Sequence, residues 1–264
     1  MNLQVFYHLY IPPNEFSVNW IWWVDSQLKL IIDSNLHKYS NVNMCITMPK
    51  SWAHYNNIPY LKVSDGNPCT FEQYVVDYIN LRYPFVKILD VRDTLEENIF
   101  EGQTLDKLKE FCDQDKNDSF ILYFHSKGSS TSLGPSVIHR KAWKDFVDHH
   151  VIYDWKNCLK HLFDNDVVGV SDLSTANVAD FRRRTSANYW WTKSSYVKTL
   201  PNPILSSKYM YPYTPELFEG NSGYRNAFEF WVHIKFPKLH YVSHFNSDIV
   251  SPFFNELHFL DLNT

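Results

Sequence analysis

Short apolar runs alternate along this chain with stretches whose apolar residues recur at helical spacing. "LQVFYHLY" (Leu3 to Tyr10) predicts a first strand, broken by Pro12 and Pro13. "WIWWVDSQLKLIIDSNLHKY" carries Trp20, Val24, Leu28 and Ile31 on one helical face. "VNMCITM" (Val42 to Met48) predicts a second strand, stopped by Pro49, and an irregular stretch through Gly66 and Pro68 follows. "TFEQYVVDYINLRY" predicts a helix with Thr70 as N-cap, and "VKILDV" (Val86 to Val91) a third strand. "TLDKLKEFCDQ" predicts a helix capped by Thr104, and "SFILYFH", ending at His125, a fourth strand. Trp143, Val147, Val151, Trp155, Leu159 and Leu162 then share one face of a long helical pattern. "DVVGVSD" (Asp166 to Asp172) is apolar at its centre, as interior parallel strands are.

After Asp172 the pattern changes. Arg182, Arg183 and Arg184 form a basic cluster, "ANYWWTKSSYVKTLP" an aromatic unit, and "YMYPYTPELFEGNSGY" a loop, before "RNAFEFWVHIKF" and an aromatic, His-rich tail. Strands alternating with helices predict an α/β protein with a mostly parallel central sheet flanked by helices. No internal repeat appears, so residues 1–264 read as one domain. Residues 1–130 form a Rossmann-like nucleotide-binding half and residues 131–264 a second half that completes the sheet and adds a binding face.

Composition narrows the function classes. With 264 residues, 44% hydrophobic and 20% charged, the chain can bury one sizeable core. A net charge of -4 disfavours a surface that wraps nucleic acid. Cys45, Cys69, Cys112 and Cys158 form no CxxC pair and read as buried thiols of a reducing compartment. "MNLQVFYHLY" lacks the basic and long apolar regions of a signal peptide, and no apolar run approaches the roughly 20 residues of a membrane span. The expected location is therefore cytoplasmic, peripheral at a membrane if its ligand is lipid-linked. Seven glycines, with neither a GxGxxG fingerprint nor a phosphate loop, argue against a dehydrogenase or a P-loop NTPase.

Ligands of open, mostly parallel sheets bind outside the carboxyl ends of the strands. Three of those ends carry polar chemistry here. Strand three ends in Asp90-Val91-Arg92-Asp93, strand four in His125-Ser126-Lys127-Gly128, and strand five in Ser171-Asp172. Lys127 supplies a point charge for a phosphate, Gly128 lets backbone N–H groups approach one, and Asp93 could accept hydrogen bonds from a base or ribose. Each polar end is, on the plainer reading, the start of a loop. The set suits a nucleotide diphosphate.

The element order resembles the GT-A glycosyltransferases, close in layout to the family 2 enzymes. "RDTLEENIFEGQTLDKLKEF" is similar to the stretch joining strand three to the donor-binding helix, "ANYWWTKSSYVKTLP" to the acceptor-side strand running into a helix, and "YRNAFEFW" to the segment carrying the catalytic base. "HSKG" followed by "NYWWTKSSYVKTLP" also resembles a group of bacterial and viral glycosyltransferase-like proteins. The resemblance implies transfer of a sugar from a UDP- or GDP-sugar donor to a glycan acceptor hydroxyl, with inversion. One departure stands out. Where that family carries Asp-x-Asp on a divalent metal, this chain has His125-Ser126-Lys127. An ammonium can neutralise a leaving diphosphate directly, so no metal is the first expectation. A cation, Mn2+ or Mg2+, held by His125 with Asp172 or His244 is the alternative.

Inverting transfer needs a base for the acceptor hydroxyl and positive charge for the departing diphosphate. Glu229 lies among bulky apolar residues in "AFEFW", where desolvation favours a raised carboxyl pKa; pairing with Arg225 on a helix surface is its plainer reading, and Asp172 is the second candidate base. The resemblance puts the base at Glu229, the acceptor against Asn188, Tyr189, Trp190 and Trp191, and the nucleotide base near Tyr7 and Tyr10. Trp190 and Trp191 face opposite sides of an extended segment, so one is expected in the core and the other against a sugar ring, simple packing of both being the alternative. Tyr7 and Tyr10 equally suit core packing. Arg182 to Arg184 suit a lid over the diphosphate or a solvated surface, and Tyr209 to Tyr213 a contact with an acceptor, a lipid-linked glycan or a partner subunit. A sugar-phosphate nucleotidyltransferase would carry a glycine- and basic-rich loop after strand one, which "YIPPNEF" is not. A non-catalytic carbohydrate-binding relative is the remaining rival.

Overall fold

Leu3, Val5, Tyr7 and Leu9 alternate with Gln4, Phe6 and His8, and all seven side chains are buried, so the first strand is covered on both faces. The computed structural model describes residues 2–12, 20–49, 70–93, 101–126, 135–172, 185, 188–205, 228–235 and 237–245; at 135–140, 172, 244 and 245 it describes the backbone only. Its strands are β1 (Leu3–Tyr10), β2 (Ser40–Met48), β3 (Val86–Asp93), β4 (Phe120–His125), β5 (Val167–Asp172), β6 (Trp190–Lys193) and β7 (Leu239–Phe245). They form one sheet in the order β3-β2-β1-β4-β6-β5-β7. β1 to β4 run parallel, β6 runs against both β4 and β5, and β7 is parallel to β5. The protein is thus α/β, with a mixed sheet in which one strand is reversed.

Six helices flank the sheet among the described residues: α1 (Trp20–Asp33), α2 (Phe71–Arg82), α3 (Gly102–Gln114), α4 (Pro135–Asp148), α5 (Trp155–Leu162) and α6 (Ser194–Thr199). Period-2 alternation in the strands divides the core in two. Val5, Tyr7, Met44, Ile46, Leu122, Phe124 and Trp191 pack under α1, α2 and α5. Phe6, Ile121, Tyr123, Trp190 and Val167 pack under α3, α6 and Trp231. Cys45, Cys112 and Cys158 are free buried thiols, and burial pushes Cys45 up to about 12, with the Thr104 hydroxyl opposing. Cys69 lies outside the described residues.

Several elements follow the sequence pattern closely. Thr70 caps α2, its hydroxyl accepting from the Gln73 amide at 3.1 Å. Two expectations change. α3 begins at Gly102 with Glu101 as N-cap, so Thr104 is inside the helix; its hydroxyl meets His8 Nδ1 at 2.9 Å instead of capping. The long helical pattern is two helices joined by a π-helical turn, His149–Tyr153. That turn keeps Val147, Val151, Trp155 and Leu159 facing the core, so the periodicity reads as continuous across the break.

At the amino edge of the sheet Asp115 ties three elements together. Its carboxylate accepts from the amides of Asn117 at 3.0 Å and Ser119 at 2.7 Å and from the Ser194 hydroxyl at 2.6 Å. Asp118, in the left-handed region at φ 49, accepts the Ser195 amide at 2.8 Å in the first turn of α6. The opposite, carboxyl edge is where chemistry gathers. There β1 lies between β2 and β4; the crossover through α1 packs on one face and the one through α3 on the other. The chain diverges at β1 and β4, the topological switch point that opens a crevice in such sheets.

Candidate active site

His8 on β1 and His125 on β4 are register partners at this switch point, and both side chains point to the α3 face. Ser126 closes the two strand ends together. Its amide donates to His8 O at 3.0 Å, its hydroxyl accepts from the Tyr10 amide at 2.8 Å, and the same hydroxyl donates to Tyr10 O at 3.3 Å. Ser126 is therefore a buried clip between strands. Lys127 and Gly128, the next two residues, lie outside the described residues.

Glu101, at the N-cap of α3, is the centre of the cluster. Its Oε2 accepts from the Tyr123 hydroxyl at 2.7 Å and from Asn188 Nδ2 at 2.8 Å, and stands 3.9 Å from His125 Nε2. Glu101 is 3% exposed and His125 5%, so this carboxylate and imidazole face each other away from bulk water. Burial, then the negative charge and hydrogen bond of Glu101, push the Tyr123 hydroxyl well above its ordinary value, so it stays a donor. Tyr123 stacks beside His125 with centroids 6.3 Å apart and on Trp190 at 5.0 Å. Asn188 reaches Glu101 from a left-handed backbone at φ 56, a conformation Asn tolerates well, while its Oδ1 accepts from Trp190 Nε1 at 2.9 Å.

Glu229 lies on the segment next to this cluster. It is buried in a helical turn, and its charge is among those acting on Tyr123. Phe228 beside it packs against Gly102: a Cβ at Gly102 would lie 2.5 Å from the Phe228 ring. The absence of a side chain at Gly102 thus lets the Glu229 segment close on the Glu101 segment. Arg225, the suggested helix-surface partner of Glu229, lies outside the described residues, as do Arg182 to Arg184 and Tyr209 to Tyr213.

Other expected site residues sit elsewhere. Trp190 and Trp191 do face opposite sides, but both rings are fully buried, Trp190 in the α3-side core and Trp191 in the α1-side core with Nε1 on Val151 O at 2.8 Å. Both pack; neither offers a ring face to a sugar. Tyr189 is also buried, its hydroxyl on the α1 side of the sheet. Tyr7 stacks on Phe124 at 4.5 Å inside the α1-side core, beyond reach of a nucleotide base, and its hydroxyl is buried without a hydrogen-bond partner among the described residues. Tyr7→Phe is therefore expected to leave the melting temperature unchanged or raise it slightly, because it removes an unsatisfied polar group; calorimetry checks this. Tyr10 stays half-buried at the tip of β1. Arg92, on edge strand β3, bonds Asp90 at 3.0 Å, and Asp93 ends that strand opposite Met48. Three strand spacings, about 14 Å, separate β3 from β4, so these residues border the crevice and do not meet His125.

The alternative cation ligands are strands apart. Ser171 pairs with His244 and Asp172 with Phe245 across β5 and β7, whereas His125 lies on β4 with β6 between. The side chains of Asp172 and His244 are outside the described residues, and among the described residues no group of three His, Cys, Asp or Glu is placed to hold a metal ion. No helix among the described residues is long and apolar enough to cross a membrane.

Glu101, Tyr123 and His8 are site residues that sequence reasoning did not single out. Glu101 sits inside the stretch assigned to the donor-binding helix, one of several acids there. One signal was present: Glu101 precedes a glycine directly before a helical pattern, where an acid sits at a helix N-terminus.

Fold and cluster together define a class: an α/β protein with a mixed seven-stranded sheet and a buried acid–imidazole–phenol cluster at its switch point. The family described as Domain of unknown function (DUF8361) matches residues 6–233, and the chain belongs to that family. No curated protein matches it.

Proposed function

We propose that this protein is a nucleotide-sugar-dependent glycosyltransferase of GT-A type, taking a UDP- or GDP-sugar donor in the crevice at β1 and β4 and passing the sugar to a glycan hydroxyl. The observation that carries this reading is the Glu101 cluster: a buried carboxylate, two aimed donors and a facing imidazole at the switch point of the sheet, with Glu229 next to the Phe228 ring that packs on Gly102. Such a set does acid–base work and orients polar groups; it is more than core packing requires. The strand–helix run of β6 into α6 and the two parallel blocks on either side of β6 agree with the two-half layout the sequence resemblance implies.

In this mechanism the acceptor oxygen bonds to the anomeric carbon on the face opposite the diphosphate. Glu229 takes the hydroxyl proton. The bond from the anomeric carbon to the diphosphate oxygen breaks, its electron pair leaving with the nucleoside diphosphate. Lys127 neutralises that charge. Glu101 holds Tyr123 and Asn188 and faces His125, keeping the wall of the site fixed.

The test is donor consumption from a panel of UDP- and GDP-sugars, with and without EDTA, by the wild type and by Glu229→Gln. Turnover is expected in the wild type, persisting in EDTA and lost by about 100-fold or more in the variant. Binding of glycans with no donor consumed would make the protein a carbohydrate-binding relative and end the proposal; full turnover in Glu229→Gln would remove Glu229 as base.

A further inference from the structure

The tip of β4 is held from two faces, and the second face has no part in the chemistry above. On the α1 side, the Tyr189 hydroxyl donates to the carbonyl of His125. The β4–β6 ladder ends at Tyr123 opposite Trp190. Two residues further on, a side-chain hydroxyl thus takes up a main-chain carbonyl, as a buried backbone group requires. Tyr189 is itself oriented. Gln27 Nε2 donates to the Tyr189 oxygen at 2.7 Å and to Asp148 Oδ1 at 3.2 Å, and lies 3.4 Å from the same His125 carbonyl.

Behind Gln27 stands an ion pair with almost no access to water. Lys144 and Asp148 are one turn apart on α4, their side chains 2% and 1% exposed. The Lys144 ammonium also donates to Ser26 Oγ at 3.2 Å and lies 4.8 Å from the Trp23 ring centroid. A buried pair of this kind costs desolvation and adds little net stability, so its effect is to be sought in what it orients. Here it fixes the amide of Gln27, which fixes the phenol of Tyr189, which fixes the peptide linking His125 to Ser126. The next residue is Lys127.

We infer that Tyr189, Gln27 and the Lys144–Asp148 pair are positioning residues that set the direction of the His125–Ser126 peptide at the β4 tip, the strand end that faces an anionic ligand in the crevice at β1 and β4. This rests on the glycosyltransferase reading for the identity of that ligand, but not for the mechanical claim.

Two measurements separate the claims. The first needs no ligand: native-state hydrogen exchange at the Ser126 amide, which bonds His8 O at 3.0 Å. Tyr189→Phe and Gln27→Leu are each expected to speed that exchange about tenfold, leaving the Val5 and Leu122 amides within about twofold of wild type. Tyr196→Phe, which removes a hydroxyl bonded to Val232 O at 2.9 Å, is the control and should leave Ser126 unchanged. Equal Ser126 exchange in wild type and Tyr189→Phe would overturn the inference, as would a uniform rise across all three amides. The second measurement is kinetic. Tyr189→Phe should raise the donor KM about tenfold and change kcat by less than about threefold, the pattern of lost ground-state and transition-state binding alike. A fall in kcat at constant KM would overturn the positioning role. Failure of the wild type to consume any donor would end the glycosyltransferase reading, and the exchange result alone would then decide the inference.

Discussion

Glu101→Gln is expected to lower sugar transfer by about 100- to 1,000-fold while leaving the fold in place. The amide oxygen of glutamine can still accept from Tyr123 and Asn188, so both hydrogen bonds survive the change. What goes is the negative charge 3.9 Å from His125. The buried carboxylate and imidazole face each other across that gap, so the substitution tests the charge itself. Donor turnover of both proteins, with circular dichroism to confirm the fold, checks this. Glu101→Ala is a different experiment: it strands the Tyr123 hydroxyl and the Asn188 amide in the interior and should cost about 2–4 kcal/mol of stability. Wild-type turnover in a folded Glu101→Gln would remove Glu101 from the site.

The second large effect is on stability. Asp115→Ala should destabilise the protein by about 3 kcal/mol, lowering Tm by roughly 6–10 °C at this chain length, because the buried Ser119 amide and Ser194 hydroxyl lose a charged acceptor. Burial acts to raise this carboxyl, but the Ser194 hydroxyl and the Ser119 and Asn117 amides outweigh it and hold it well below the usual range. The sign follows. A carboxyl depressed on folding contributes stability that is complete above its unfolded value, about 4, and is lost as pH falls through the folded value. The gap in Tm between wild type and Asp115→Ala should therefore be widest near neutrality and narrow below about pH 4. A gap independent of pH would show that the carboxylate contributes packing and no charge.

Much of the fold was legible because strand and helix periods are physical. The first strand is found at Leu3–Tyr10 as expected, since two prolines end it and alternation with full burial defines it. Thr70 was legible because its cap needs only local chain. Thr104 misled for the converse reason: a threonine before a helical pattern looks like a cap, and only the fold reveals His8, 96 positions away, as its partner. The reversed direction of β6 has no local signature, since an extended segment pairs either way. In the site, His125, Ser126, Asn188 and Glu229 were legible as polar residues at strand ends or among aromatics. Glu101 was not, because its meaning depends on Tyr123 and Asn188 arriving from distant strands. The tryptophans misled in the opposite sense: paired aromatics suggest a sugar platform, and here each fills a separate core.

The reversed strand has a consequence for biosynthesis. In the sheet β5 pairs with β6 and β7, and both are translated after it. The β5 segment Val167-Val168-Gly169-Val170 leaves the exit tunnel about 20 residues ahead of β6, apolar and with both hydrogen-bonding edges open. β1 to β4 can already pair among themselves at that stage. The nascent chain thus passes through an interval in which a sticky half-sheet waits for its joining piece, the kind of exposure that chaperones exist to shield.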